Sequence, residues 1–214
     1  MKELIALFYQ QAGWLLIIPT GIALIRWSEL SKPQKVIGFY LFVSLAIHII
    51  SFFYWRAGRN NLPFLHFFTI FEYYTILYFL QISRAKLMGK YLFTTLLIVF
   101  TFLFFTEGFV WSDWLSFHPY SLTISVCILA GCSIFWFIQI AGDFNISFSS
   151  MRNLIYINCG ILIYFSASSV LFSLNNLLSS LDRQLLVNVW SIHTILNLVM
   201  YMFFSIGLWK SHKV

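Results

Sequence analysis

Apolar residues fill seven long runs of the chain, at about residues 4–25, 36–55, 62–82, 91–110, 119–141, 153–175 and 185–209. Each is close to the roughly 20 residues a helix needs to cross about 30 Å of hydrocarbon. Short polar breaks separate them, at 26–35, 56–61, 83–90, 107–118, 142–152 and 176–184. None of these breaks is long enough to build a core of its own. The pattern predicts an all-α fold: one polytopic seven-transmembrane-helix bundle over residues 1–214. The first run follows Lys2, as the core of a signal peptide would, but it is too long for one and lacks a small-x-small cleavage site. It is expected to span, with a kink near Pro19.

Composition sharpens this. Hydrophobic residues make up 60% of the chain and charged ones 9%, against roughly 45–50% and about 25% in soluble domains. So few charges cannot coat a water-facing surface. A soluble two-domain enzyme, a secreted disulfide framework and a nucleic-acid binder are all excluded, and the bilayer becomes the first partner. The basic residues then set an orientation. Arg26, Lys32, Lys35, Arg84, Lys86, Lys90, Arg152, Lys210 and Lys213 fall on one side; Lys2, Arg56, Arg59 and Arg183 fall on the other. The bias predicts an outer N-terminus and a cytoplasmic C-terminus, in a bacterial inner membrane. The net charge of +6 then reflects topology and anionic headgroups. Trp27, Trp55, Trp111, Trp114 and Trp209 stand near span ends, where indole rings favour the interface. Cys127, Cys132 and Cys159 lie inside spans without metal-ligand spacing and read as packing residues, beside an Ala130-Gly131 pair expected to admit close helix approach. The phenylalanine-rich run 102–105 and the other phenylalanines read as lipid-facing filler, and no internal repeat points to a two-halved transporter.

Candidate chemistry lies where polar groups enter hydrocarbon. Six acids (Glu3, Glu29, Glu107, Asp113, Asp143 and Asp182) sit at span ends or in breaks, and Glu72 alone is mid-helix. His48, His66 and His193 are inside spans, whereas His118 and His212 are not. At 100° per residue, Tyr40, Ser44, His48, Ser51 and Trp55 share one face of helix 2, and Trp190, His193, Asn197 and Tyr201 one face of helix 7. Helix 6 carries Asn158, Ser166, Ser169, Ser173 and Asn176 along one side; helix 3 spreads His66, Thr69 and Glu72 over a wider arc. Lipid cannot satisfy such groups, so these stripes are expected to face inward. At 1.5 Å per residue, His48, His66, Glu72 and His193 reach similar levels in the outer half. The expected site is an outward-facing polar pocket of His48, His66, Glu72, Asn158, His193, Asn197 and Tyr201. Alternatively these groups only bond helix to helix, with Glu72 protonated or bonded to a histidine.

Three function classes fit such a bundle. The first is a sensor that binds a small molecule or lipid in the pocket and signals to a cytoplasmic protein through the basic loops, with no cofactor. Retinal is excluded, because no lysine lies within a span. The second is a membrane-embedded metal hydrolase. Ser44-xxx-His48, Glu72 and His193-xxx-Asn197 resemble the CREST superfamily of alkaline ceramidases and adiponectin receptors. That family has Ser-xxx-His on helix 2, an acid on helix 3 and His-xxx-His on helix 7. The resemblance implies zinc held by His48 and His193, with His66 as a substitute third ligand and Glu72 or Ser44 orienting water. The third class is a small transporter or proton-coupled subunit titrating at Glu72.

A broader likeness favours the first class. His66-Phe-Phe-Thr-Ile-Phe-Glu72, Asn158-Cys-Gly-Ile-Leu-Ile-Tyr-Phe-Ser166, Trp190-Ser-Ile-His193-Thr-Ile-Leu-Asn197 and the closing Ile-Gly-Leu-Trp-Lys look like small uncharacterised seven-helix proteins of Bacteroidota. Such proteins are often encoded near sensor kinases or response regulators, which implies signalling.

Overall fold

The computed structural model describes residues 12–83, 88–111, 114–115, 119–143, 148–181 and 183–209, with side chains given for all of these except 119, 148–150, 175–181 and 183–187. Lys2, Glu3, Arg84, Lys86, Asp113, His118, Asp182, Lys210, His212 and Lys213 lie outside the described residues. Seven α-helices are present among the described residues: α1 (Ile17–Ile25), α2 (Lys32–Arg56), α3 (Leu62–Ser83), α4 (Lys90–Thr106), α5 (Pro119–Ala141), α6 (Phe148–Leu181) and α7 (Arg183–Trp209). A 3-10 turn, Gly13–Leu16, leads into α1, and a π turn, Glu107–Trp111, follows α4.

Five of these segments are long and apolar enough to cross a membrane: Lys32–Arg56, Lys90–Trp111, Tyr120–Ala141, Met151–Leu174 and Asn188–Trp209. The protein is thus a multi-pass membrane protein. The other two helices fall short for different reasons. The apolar stretch Gly13–Ile25 is too short within the described residues. Helix α3 has the length, at 22 residues, but His66, Thr69, Glu72, Tyr73 and Tyr74 lower its hydropathy. Those groups are tolerated because α3 is enclosed by protein: His66, Glu72, Tyr73, Thr75, Ile76, Leu77, Phe79, Leu80 and Ser83 are all buried.

Helix boundaries follow local chemistry. The second helix begins earlier than the apolar run suggests, because Ser31 opens a capping box whose Gln34 carbonyl accepts the Ser31 amide hydrogen at 3.0 Å, with Pro33 in the first turn. Helix α6 continues to Leu181 and α7 starts at Arg183, so the expected break over 176–184 shrinks to one residue between helices. With 34 residues, α6 is about 51 Å long and exceeds the hydrocarbon thickness.

Connections of about six residues cannot cross 30 Å, so helices joined by them run antiparallel. The longer link from α4 to α5 also returns to the same end, because the Glu107 carboxylate accepts the α5 amide hydrogens of Tyr120 at 3.0 Å and Ser121 at 2.6 Å. Packing closes a ring in which α1 touches α2, α2 touches α3, α3 touches α5, α5 touches α6, α6 touches α7 and α7 returns to α1. Helix α4 leans on α3 and α5 and buries only Phe100 and Phe104 of its own residues. Ring closure is pinned by Gln34 of α2, whose side-chain amide donates to the Gly207 carbonyl of α7 at 2.8 Å. Arg26, Lys32, Lys35, Lys90 and Arg152 gather at one end of this bundle, and Arg56 and Arg59 at the other.

Several expectations need correction. Gly131 has nothing within 4 Å of where a Cβ would stand, so the close approach expected there is absent. It occurs between α6 and α7 instead: a Cβ on Gly160 would lie 2.8 Å from Phe203 Cβ, and one on Gly207 would lie 2.5 Å from Ile157 Cγ1 and 2.8 Å from the Asn153 carbonyl oxygen. Of the phenylalanines read as filler, Phe102 and Phe105 are exposed, but Phe104 is fully buried. The tryptophan expectation fits better: Trp27, Trp55, Trp111 and Trp209 are exposed, while Trp114 packs on Phe104 and His66.

Gly207→Ala should therefore overpack the α6–α7 seam and lower stability by about 1–3 kcal/mol, read as a drop in melting temperature in detergent. Gly131→Ala, facing open space, should leave it unchanged or slightly higher.

Candidate functional site

One end of the ring encloses a cavity of about 300 Å³, adequate for a small ligand. It is lined from six of the seven helices and from the turn before α1. Gly13 and Leu16 come from that turn, Ser44, Ile47, His48 and Ser51 from α2, Leu62 to Glu72 positions from α3, Phe104 from α4, Ser121 and Leu122 from α5, Tyr164 and Phe172 from α6, and Trp190, His193, Asn197 and Tyr201 from α7. All lie in the half of the bundle next to the 57–61 and 107–118 connections, the end carrying fewer basic residues.

His48, His66, Glu72, His193, Asn197 and Tyr201 all line this cavity, as does Ser44. Asn158 does not. It is fully buried on another face of α6, where its carbonyl oxygen accepts the Ser133 hydroxyl hydrogen at 2.8 Å and its amide donates to the Ser133 backbone carbonyl at 3.3 Å. Asn158 thus fastens α6 to α5. Two serines of the expected helix-6 stripe bond within their own helix, Ser169 to the Ser166 carbonyl and Ser173 to that of Ser169, and the side chain of Asn176 lies outside the described residues. The α6 serine that reaches the cavity histidine is Ser168, which sequence periodicity did not single out.

Glu72 sits ten residues into α3, about 15 Å from its start. Its carboxyl accepts the Tyr40 hydroxyl hydrogen at 2.7 Å. The partner is therefore a tyrosine of α2, not the histidine expected for a purely structural contact. Ser44 donates to the Tyr40 carbonyl oxygen one turn back, at 2.7 Å. Tyr40 also stacks on Phe71 and meets Phe204 edge-on, which fixes its ring from both sides.

The three histidines differ. At His193, Asn197 Nδ2 approaches Nε2 at 3.3 Å and Ser168 Oγ lies 3.4 Å from Nδ1. The amide is a donor, so Nε2 accepts and Nδ1 carries the hydrogen toward serine. Tyr164 Oη stands 3.5 Å from the same Nε2. His66 is buried edge-on against Phe104 and Trp114. His48 meets Trp14 edge-on at 5.2 Å between ring centroids. Its ring fits only because residue 13 is glycine, since a Cβ there would fall 2.3 Å from His48 Cε1. Its Nε2 is buried with no protein partner, and so are Ser51 Oγ and Ser121 Oγ of the same cavity.

The CREST resemblance implies zinc on His48 and His193, with His66 as third ligand. Among the described residues, no group of three or more His, Cys, Asp or Glu side chains is placed to hold a metal ion. The position of the second helix-7 ligand is Asn197, whose N–H occupies the Nε2 lone pair of His193. Comparison with known proteins returns no family model, no curated protein and no solved structure that matches the chain.

Sequence reasoning also passed over Glu107, which is 1% exposed although it falls at a span end. Its carboxylate caps the first turn of α5, a stabilising place for negative charge at a helix N-terminus. Glu107→Ala frees those amides and should lower stability by about 1–2 kcal/mol. Glu107→Gln, which keeps one acceptor oxygen, should lose less in the same thermal melt.

Proposed function

We propose that this protein binds a small molecule or lipid in the cavity between its helices and passes the bound state to a cytoplasmic partner through its basic connections, in a bacterial inner membrane. One observation carries the binding half of this reading. Three buried polar atoms from α2 and α5, His48 Nε2, Ser51 Oγ and Ser121 Oγ, have no protein partner and share a single cavity. A buried polar atom left unmet costs about 1–3 kcal/mol. Away from the cavity such groups face one another, as Asn158 and Ser133 do, and Asn153 Oδ1 is the one further unmet buried oxygen among the described residues. Unmet polar groups clustered in the wall of one cavity suit a partner that comes from outside the chain.

The reach of the helices supports the signalling half. The cavity draws side chains from nearly every helix, so filling it biases how those helices pack. Helices α2, α3, α6 and α7 then carry that bias toward the more basic end, where Arg26, Lys32, Lys35, Lys90 and Arg152 stand. On the positive-inside rule that end is cytoplasmic. The likeness to Bacteroidota seven-helix proteins points to the same class of role.

Native mass spectrometry of the protein released from its own membranes by mild detergent tests this directly. The expected result is a bound small molecule or lipid that is lost in a Ser51→Ala, Ser121→Ala double variant whose melting temperature is equal to or above that of the parent. That combination marks residues kept for binding at no benefit to stability. A double variant that melts well below the parent, with no adduct on either protein, would make the cavity a packing feature.

A further inference from the structure

We propose that the cavity takes an organic ammonium ion, a protonated amine on an apolar body, with its head at Glu72. This rests on the reading of the cavity as a binding site and names the chemical class it admits. At the cavity floor the hydrogens of Tyr40, Ser44 and Thr69 are already committed, and the Tyr201 hydroxyl in the same lining can turn to accept as well as donate. Tyr40 donates to Glu72 at 2.7 Å, Ser44 to the Tyr40 carbonyl at 2.7 Å, and Thr69 to the Leu65 carbonyl at 3.0 Å. What Glu72, Ser44 and Thr69 still offer to the space is lone pairs. An ammonium group brings three donors and no acceptor, the complement of that floor.

Charge points the same way. Glu72 is the one Asp or Glu among the lining residues, and no Lys or Arg is among them. An anionic ligand would meet a carboxyl with no cation to offset it. A neutral alcohol could satisfy the serines but would bring Glu72 no opposite charge. A cation does so, and the Phe68, Tyr164 and Tyr201 rings of the lining add the attraction of aromatic faces for positive charge. Above the floor the walls turn apolar, with Leu16, Ile47, Leu62, Leu65, Leu122 and Phe172. An amine that reaches about 15 Å into the bundle must therefore carry a hydrocarbon body. The unpartnered His48, Ser51 and Ser121 atoms lie nearer the open end and suit a polar group at the far end of the ligand.

The test uses the full chain in lipid nanodiscs, with 4-phenylbutylamine and its neutral counterpart 4-phenylbutan-1-ol as probes and protein-free discs subtracted for partitioning. Saturable binding of the amine, about tenfold or more tighter than the alcohol, is expected, in line with the added strength of a charged hydrogen bond. E72Q keeps an acceptor for Tyr40 and should erase that preference by weakening the amine about tenfold or more relative to the alcohol. If E72Q fails to fold, the amine-to-alcohol ratio of the parent decides alone. Alcohol binding as tight as the amine, or an E72Q variant that keeps the preference, overturns this inference and leaves the cavity as a site for neutral ligands. No saturable binding of either probe overturns both.

Discussion

A carboxyl group buried in the middle of a helix at the centre of a bundle must find its partners inside the protein, because neither lipid nor bulk water reaches it. Glu72 imposes that requirement on α3, and the arrangement of neighbouring helices answers it. Tyr40 reaches across from α2 to donate its hydroxyl hydrogen. Phe71 and Phe204 hold the tyrosine ring. The consequence is a helix of 22 residues that is less apolar than the five spanning segments and yet is among the most enclosed in the bundle. In a membrane bundle the polar face turns inward and the apolar face outward. Exposed Phe39, Phe53, Phe102, Ile138 and Val170 illustrate the second half of that rule.

Two kinds of polar group follow from this constraint, and they have different uses. Some pair across helices and simply fasten them. Asn158 with Ser133, Trp136 with Ser83 at 2.7 Å, and Gln34 with the Gly207 carbonyl belong here. Others open onto the cavity with hydrogen-bonding capacity left over, and these carry the functional reading. Glycine placement serves both. Gly207 lets α6 and α7 touch, whereas Gly13 makes room for the His48 ring at the cavity wall.

Most of the fold was legible in the sequence because about 20 apolar residues per span is a constraint few other structures share. The helix-2 and helix-7 stripes were largely legible: Ser44, His48 and Ser51, and His193, Asn197 and Tyr201, turn inward and the cavity collects them, with Tyr40 buried beside it and Trp55 alone of the helix-2 face exposed. Periodicity failed where a helix has two interior neighbours. Asn158 and Ser168 are both inward on α6, yet one meets α5 and the other α7, and a single-helix projection cannot separate those faces. Glu107 was missed for a different reason. A carboxylate at a span end reads as solvated, and only the return of the chain brings the α5 amides onto it. Phe104 likewise looked like its neighbours until the side of α4 that touches the ring was known.

A double-mutant cycle on Tyr40 and Glu72, read as unfolding free energy in mixed micelles, tests the central claim most directly. Tyr40→Phe alone leaves the carboxyl unmet and Glu72→Leu alone strands the hydroxyl, so each should destabilise. Together they remove both polar groups and should restore most of the loss, with a coupling of about 1 kcal/mol or more. Strictly additive losses would mean that the two side chains do not satisfy one another, and that the bundle is organised around something else.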